Sequence, residues 1–94
     1  MAYPYSNLYG DITVSVILAG DSSSAKAIDV AAGLPVVDQL ADILIRHGIT
    51  KAATLNANGQ FAYKLQKDAT DLTYGETFAQ QGVHDGDTLD IVTA

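Results

Sequence analysis

Chemistry on this chain would have to come from few side chains. His47 and His84 are its only histidines, and it has no cysteine. A zinc centre or a nucleophile–base–orienter set needs several converging groups, and no spacing here supplies them. The absence of thiols also removes any thiolate ligand, thiol nucleophile or disulfide framework. Asp85-Gly86-Asp87 has residue types that bind calcium, but not the further oxygen donors and distal bidentate acid of a calcium loop, and it reads as a turn. Ser22-Ser23-Ser24 lacks the glycines of a nucleophile elbow and reads as a loop. Gly10, Gly20 and Gly33 are too scattered to cradle a phosphate. His47 reads as a cation closing a helix and His84 as a turn residue. The chain is therefore expected to be no enzyme and to hold neither metal nor cofactor.

What these residues would be mounted on is clearest over Leu34 to Ile49, LPVVDQLADILIRHGI. Val36, Val37, Leu40, Ile43 and Leu44 recur at helical spacing, with Ala41 and Ile45 widening the stripe. Pro35 suits the first helical position. Asp38 and Asp42 lie toward the positive end of the helix dipole, and Arg46 and His47 toward the negative end. Gly48 can take the left-handed closing conformation, with Ile49 folding back onto the last turn.

The other segments read as strands. Ile12 to Leu18 alternates Ile12, Val14, Val16 and Leu18 against Thr13, Ser15 and Ile17, and is rich in β-branched residues. After the turn cluster Ala19 to Ser24, Lys26 to Val30 alternates again, and the two make an antiparallel hairpin. Beyond the helix, Ala52 to Leu55 is a weak strand, Asn56-Ala57-Asn58-Gly59 a turn, and Phe61 to Leu65 a strand. Gln66 to Glu76 reads as a long polar connection anchored by Leu72 and Tyr74. Glu76 to Gln81 makes a short helical turn burying Phe78; Gly82 ends it and Val83 plugs the core. His84 to Asp87 turns into a last strand, Thr88 to Val92, with Leu89 and Ile91 inward. A hairpin, one helix and more strands give an α+β fold, a mixed sheet packed on one helix. A right-handed crossover sets the last strand parallel beside the first. That is the β-grasp arrangement.

Ninety-four residues make one domain, here expected over residues 11–94 and preceded by an arm over 1–10. The arm carries Tyr3, Tyr5 and Tyr9; it is either flexible, as termini commonly are, or docks through those rings. Eleven acids against five bases leave a net charge of −6, which argues against nucleic acid and anionic lipid as partners. No apolar run approaches the roughly 20 residues that span a bilayer, and the start lacks a signal-peptide pattern. A cytoplasmic location is the expectation.

Three stretches resemble ubiquitin-like proteins: the opening hairpin into the helix, the Asn58-Gly59 turn, and Phe78-Ala79-Gln80-Gln81-Gly82-Val83-His84-Asp85-Gly86-Asp87-Thr88-Leu89. The last is similar to the closure L-x-x-x-G-V-x-D-G-D-x-L common in that fold. Ala27-Ile28-Asp29-Val30 followed by Leu34-Pro35-Val36-Val37-Asp38-Gln39-Leu40 resembles the YukD/EsaB family and the EccD ubiquitin-like domain of type VII (ESX/WXG100) secretion. Ala31-Ala32-Gly33 stands where that family often has an earlier proline. The resemblance implies a bacterial, non-catalytic interaction protein, an accessory or regulatory component of such a system. Its partners would be secretion-system proteins, or a second copy, met through a sheet face or a free strand edge. Thr54, Ala62 and Lys64 would then lie on the exposed face, and Asp85, Asp87 and Asp90 would form an acidic rim favouring a basic partner. The alternative is a ubiquitin-like modifier or sulfur carrier with Ala94 as the activated residue. Such proteins end in Gly-Gly, whereas Thr93-Ala94 follows the last strand directly, so no tail for activation is expected.

Overall fold

The computed structural model describes residues 10–94; the Tyr3, Tyr5 and Tyr9 arm lies outside the described residues. The chain forms β1 (Asp11–Leu18), β2 (Asp21–Ala31), helix α1 (Val36–His47), a 3-10 turn (Lys51–Thr54), β3 (Tyr63–Lys67), β4 (Thr70–Asp71), a second 3-10 turn (Ala79–Gln81) and β5 (Thr88–Thr93). The strands make one five-stranded sheet in the order β2-β1-β5-β3-β4. β5 lies parallel beside β1, with Val16 opposite Leu89 and Leu18 opposite Ile91. Every other pair is antiparallel. This is the expected β-grasp.

One face of the sheet and one face of α1 enclose the core. Val14 and Val16 of β1, Leu89 and Ile91 of β5, Leu65 of β3 and Leu40 and Leu44 of α1 are fully buried. Each such side chain stabilises the fold by about 1.5–3 kcal/mol. Phe78 and Val83 close the open end from the second 3-10 turn, and Gly82 ends that turn at φ 74°. Leu72 is buried, and Tyr74 packs its ring edge-on against Phe61 at 6.1 Å, so both anchors of the polar connection are in place.

The helix differs from its expected stripe by about a sixth of a turn. Val36, Gln39, Leu40, Ile43, Leu44 and His47 face inward, while Val37 and Ile45 are 38% and 44% exposed. Val37 stands 100° round from Val36, just beyond Leu44 at the rim of the buried face, and Ile45 lies opposite its centre. Pro35 caps the helix from outside it, at ψ 142°, rather than occupying its first turn. At the other end Gly48 adopts φ 116°, and the Gly48 and Ile49 amides donate to Ile45 and Leu44.

Three other elements depart from expectation. β2 begins at Asp21, directly after a tight Ala19-Gly20 turn, and bulges opposite Val16 to Leu18. The Ser24 hydroxyl accepts from the Leu18 amide and donates to the Asp21 carbonyl, stabilising that bulge from within. Lys51–Thr54 is a 3-10 turn, not a strand; only Leu55 pairs onward, through a single bridge to Phe61. The Gln66 to Glu76 connection contains β4, joined to β3 by Asp68 and Ala69 at φ 52° and 64°.

Candidate interaction surface

Among the described residues, the helix occupies one face of the sheet and leaves the other open. Residues paired across strands share a face, so the register places Thr13, Ser15 and Ile17 of β1 with Ala27 and Asp29 of β2 on the outer side. Thr88, Asp90 and Val92 of β5 join them, followed by Lys64 and Gln66 of β3 and Asp71 of β4. A continuous row, Ile17–Asp90–Gln66–Asp71, thus crosses four strands. Lys64 sits opposite Val92 in the adjoining row. Ile17 and Val92 are half-buried apolar points between charged neighbours.

The charges on this face hold one another. Asp71 accepts from the Gln66 amide at 2.8 Å and the Lys64 ammonium at 3.0 Å. The Gln66 hydrogen bond and then the Lys64 contact hold the Asp71 carboxyl below the ordinary aspartate value. Thr13 donates its hydroxyl to Asp29 at 2.6 Å.

The expected site residues separate into three groups. Lys64 and Asp90 stand on the open face, and Ala62 precedes Lys64 at its end. Thr54 does not face solvent: it is 4% exposed, its hydroxyl donates to the Lys51 carbonyl, and its own carbonyl accepts from the Ala62 amide. A strand would have turned Thr54 outward; the 3-10 turn rolls it inward. The three acids do not form one rim. Asp85 accepts from the Thr13 amide at the start of β1, and Asp90 from the Gly20 amide beyond its end. Roughly 15 Å of extended strand separates Thr13 from Leu18 alone. Asp87 accepts from the His84 amide at 2.8 Å, with the His84 ring 3.8 Å away. All three carboxylates thus tie down backbone at turns, as Asp and Asn side chains commonly do. Ala94 donates its amide to the Ala62 carbonyl at 3.0 Å, extending the β5–β3 pairing. Among the described residues no three His, Asp or Glu side chains gather as metal ligands.

The two sheet edges are guarded. β4 is only two residues long. β2 is long, but α1 reaches over it: the Ala31 amide donates to the Gln39 side-chain oxygen at 2.8 Å, and the Gln39 amide returns a bond to the Ala31 carbonyl at 2.9 Å. A side-chain amide here takes the place of a neighbouring strand's peptide. Arg46 donates to the Asp29 carbonyl at 2.9 Å while pairing with Asp42, and the His47 ring donates to the Ser24 carbonyl at 2.9 Å. His47 is therefore a buried strap to β2, and Lys26 of β2 places a cation at the helix end, its ammonium meeting the His47 carbonyl at 2.6 Å. In the sequence, Arg46 and His47 stand out only by their charge, and Gln39 not at all. A polar residue on the stripe beside Leu40 and Ile43 was the available signal.

No protein-family model matches this chain, and no curated protein matches it by sequence. Solved structures do. The ubiquitin of Caldiarchaeum subterraneum superposes with a TM-score of 0.66 at 19% identity, over 90% of this chain and 95% of that one. The EccD5 ubiquitin-like domain from Mycobacterium xenopi gives 0.59 at 24% identity, over 89% and 94%. Protomer 1 of an ESX-3 core complex gives 0.65 at 16% identity, over 89% of this chain and 16% of that much longer one. The chain has the ubiquitin-like β-grasp fold, and its structural neighbours include an EccD5 ubiquitin-like domain and a protomer of an ESX-3 core complex.

Proposed function

We propose that this protein is a non-catalytic ubiquitin-like interaction module, an accessory or regulatory component of a bacterial type VII secretion system, working in the cytoplasm. The observation that carries the proposal is the division of the sheet. One face is spent on α1, both edges are guarded, and among the described residues the outer face presents a broad, mixed surface of Ile17, Val92, Lys64 and Asp90. Apolar points framed by charges suit a protein partner, with the apolar points supplying affinity and the charges selecting register. The EccD5 and ESX-3 likenesses support the secretion setting. Titrating the isotope-labelled protein with the cytosolic parts of its host's type VII membrane complex tests this. Amide shifts are expected at Ile17, Lys64, Asp90 and Val92. Absence of binding, or shifts confined to α1, overturns the reading.

The second reading, a modifier or sulfur carrier, is favoured by the likeness to an archaeal ubiquitin. It requires a cognate activating enzyme and ATP to form an adenylate or thioester at Ala94, whose amide is held to Ala62. Detection of either species replaces the binding-module reading.

A further inference from the structure

The Asn56–Gln60 turn contains two asparagines of similar exposure and opposite constraint. The Asn56 side-chain oxygen accepts from the Asn58 amide at 2.9 Å and from the Gln60 amide at 3.1 Å, so that carboxamide is pinned. Among the described residues the Asn58 carboxamide has no hydrogen-bond partner, and it is exposed. The following residues also differ. Ala57 after Asn56 carries a Cβ beside its nitrogen, whereas Gly59 after Asn58 carries none. Even an added Cβ on Gly59 would meet nothing within 4 Å, so the space around that residue is open. Glycine's backbone freedom lets its nitrogen reach geometries that other residues resist.

We propose that Asn58 is a site of spontaneous deamidation in the folded protein, with water as the only co-reactant. The Gly59 nitrogen attacks the side-chain carbonyl carbon of Asn58 and forms a five-membered succinimide. The bond from that carbon to the side-chain nitrogen breaks, and ammonia leaves with the proton lost from Gly59. One water then opens the ring at either carbonyl, giving aspartate or isoaspartate. No electrons are exchanged.

The fold sets its main obstacle at the attacking nitrogen itself. The Gly59 amide donates to the Asn56 carbonyl at 3.0 Å, and this bond must open before attack. It lies at an exposed turn tip, where local opening costs far less than global unfolding. The Asn56 amide's bond to the Gln60 carbonyl at 2.8 Å and the Leu55–Phe61 bridge keep the base of the loop closed meanwhile. The isoaspartyl product places an extra methylene in a main chain that these two contacts hold at fixed span, and adds one negative charge. Its strain is delivered next to Ala62, whose amide bonds Thr54 and whose carbonyl receives Ala94.

The test holds the native full chain in mildly alkaline buffer and maps its peptides over time by mass, with enzymatic methylation to score isoaspartate. Loss of the amide at Asn58 is expected to outpace loss at Asn56 by about tenfold or more, because Asn56 must first break two hydrogen bonds. In the urea-unfolded chain, where the φ of 75° at Gly59 no longer constrains the turn, Gly59→Ala is expected to slow the Asn58 reaction by about tenfold, since Cβ crowds the nitrogen. The urea-unfolded chain separates chemistry from folding: a native rate within about tenfold of the unfolded rate supports the proposal. Retention of the Asn58 amide in the native chain while the unfolded chain loses it overturns it, as does earlier loss at Asn56.

Discussion

The two edges of the sheet meet the same hazard in opposite ways. An unpaired strand edge offers free amides and carbonyls to any passing strand. β4 answers by being short and by carrying Asp71, which is held by Lys64 and Gln66 of β3. β2 cannot be short, because eleven residues are needed to run the length of β1 and lead into the helix. Its edge is covered instead by Gln39, Arg46 and His47 of α1. The long edge is thus protected by side-chain hydrogen bonds from α1, buried at Gln39 and exposed at Arg46, and the short one by surface charge. Removing protection should be costly on the first side and cheap on the second.

The sharpest test is Gln39→Ala. It strands the Ala31 amide and leaves the Ala31 carbonyl only the long Leu34 amide contact at 3.4 Å, at a cost of about 1–3 kcal/mol. Urea unfolding is expected to show that loss in the midpoint, with the slope unchanged. A cost below about 0.5 kcal/mol, as for an ordinary surface substitution, would show that the edge needs no cap. Arg46→Ala is the intermediate case. Its side chain is partly exposed, so breaking the Asp42 pair and the Asp29 bond is expected to cost under about 1 kcal/mol. Freeing the Asp29 carbonyl should also raise self-association in sedimentation, whereas Asp42→Asn, which leaves that bond available, should not.

The smallest effect lies at β4. The Asp71 carboxyl is held below its ordinary value, so its contacts favour the folded state above that value and are lost as pH falls through the lowered one. A carboxylate NMR titration should find the Asp71 midpoint below that of a free aspartate. Gln66→Ala should move it upward, and Lys64→Ala less so, following the order of the two causes. An unchanged midpoint in both variants would mean that β4 is held by pairing alone.

Much of this architecture was legible because its signals are local. Alternation in Ile12–Leu18 and Thr88–Val92 marked the two central strands, and Gly48 and Gly82 marked two stops where a left-handed φ is required. The Asp68-Ala69 turn stayed hidden for the converse reason: it uses positive φ at two residues that resist it, at roughly 1–2 kcal/mol each for residues with a Cβ, so no Asn-Gly or Asp-Gly pair announced the β3–β4 hairpin. Ala52–Leu55 failed as a strand because its Thr54 hydroxyl finds a carbonyl three residues back and the segment curls. The site was less legible than the fold. Alternation could put Lys64 and Asp90 on one side of their strands, but only the register brought both to the same face.

By itself, the order of apolar and polar residues determined a helix after the first hairpin, a central parallel pair of strands and a β-grasp topology. Periodicity and turn chemistry act between near neighbours, and those are written along the chain. Which side of α1 faces inward, which acids lock turns and which remain on the open face, and how β2's edge is covered were decided by the tertiary structure. Each of those outcomes depends on a backbone group that must find a partner, and that partner is chosen by where another element lies in space.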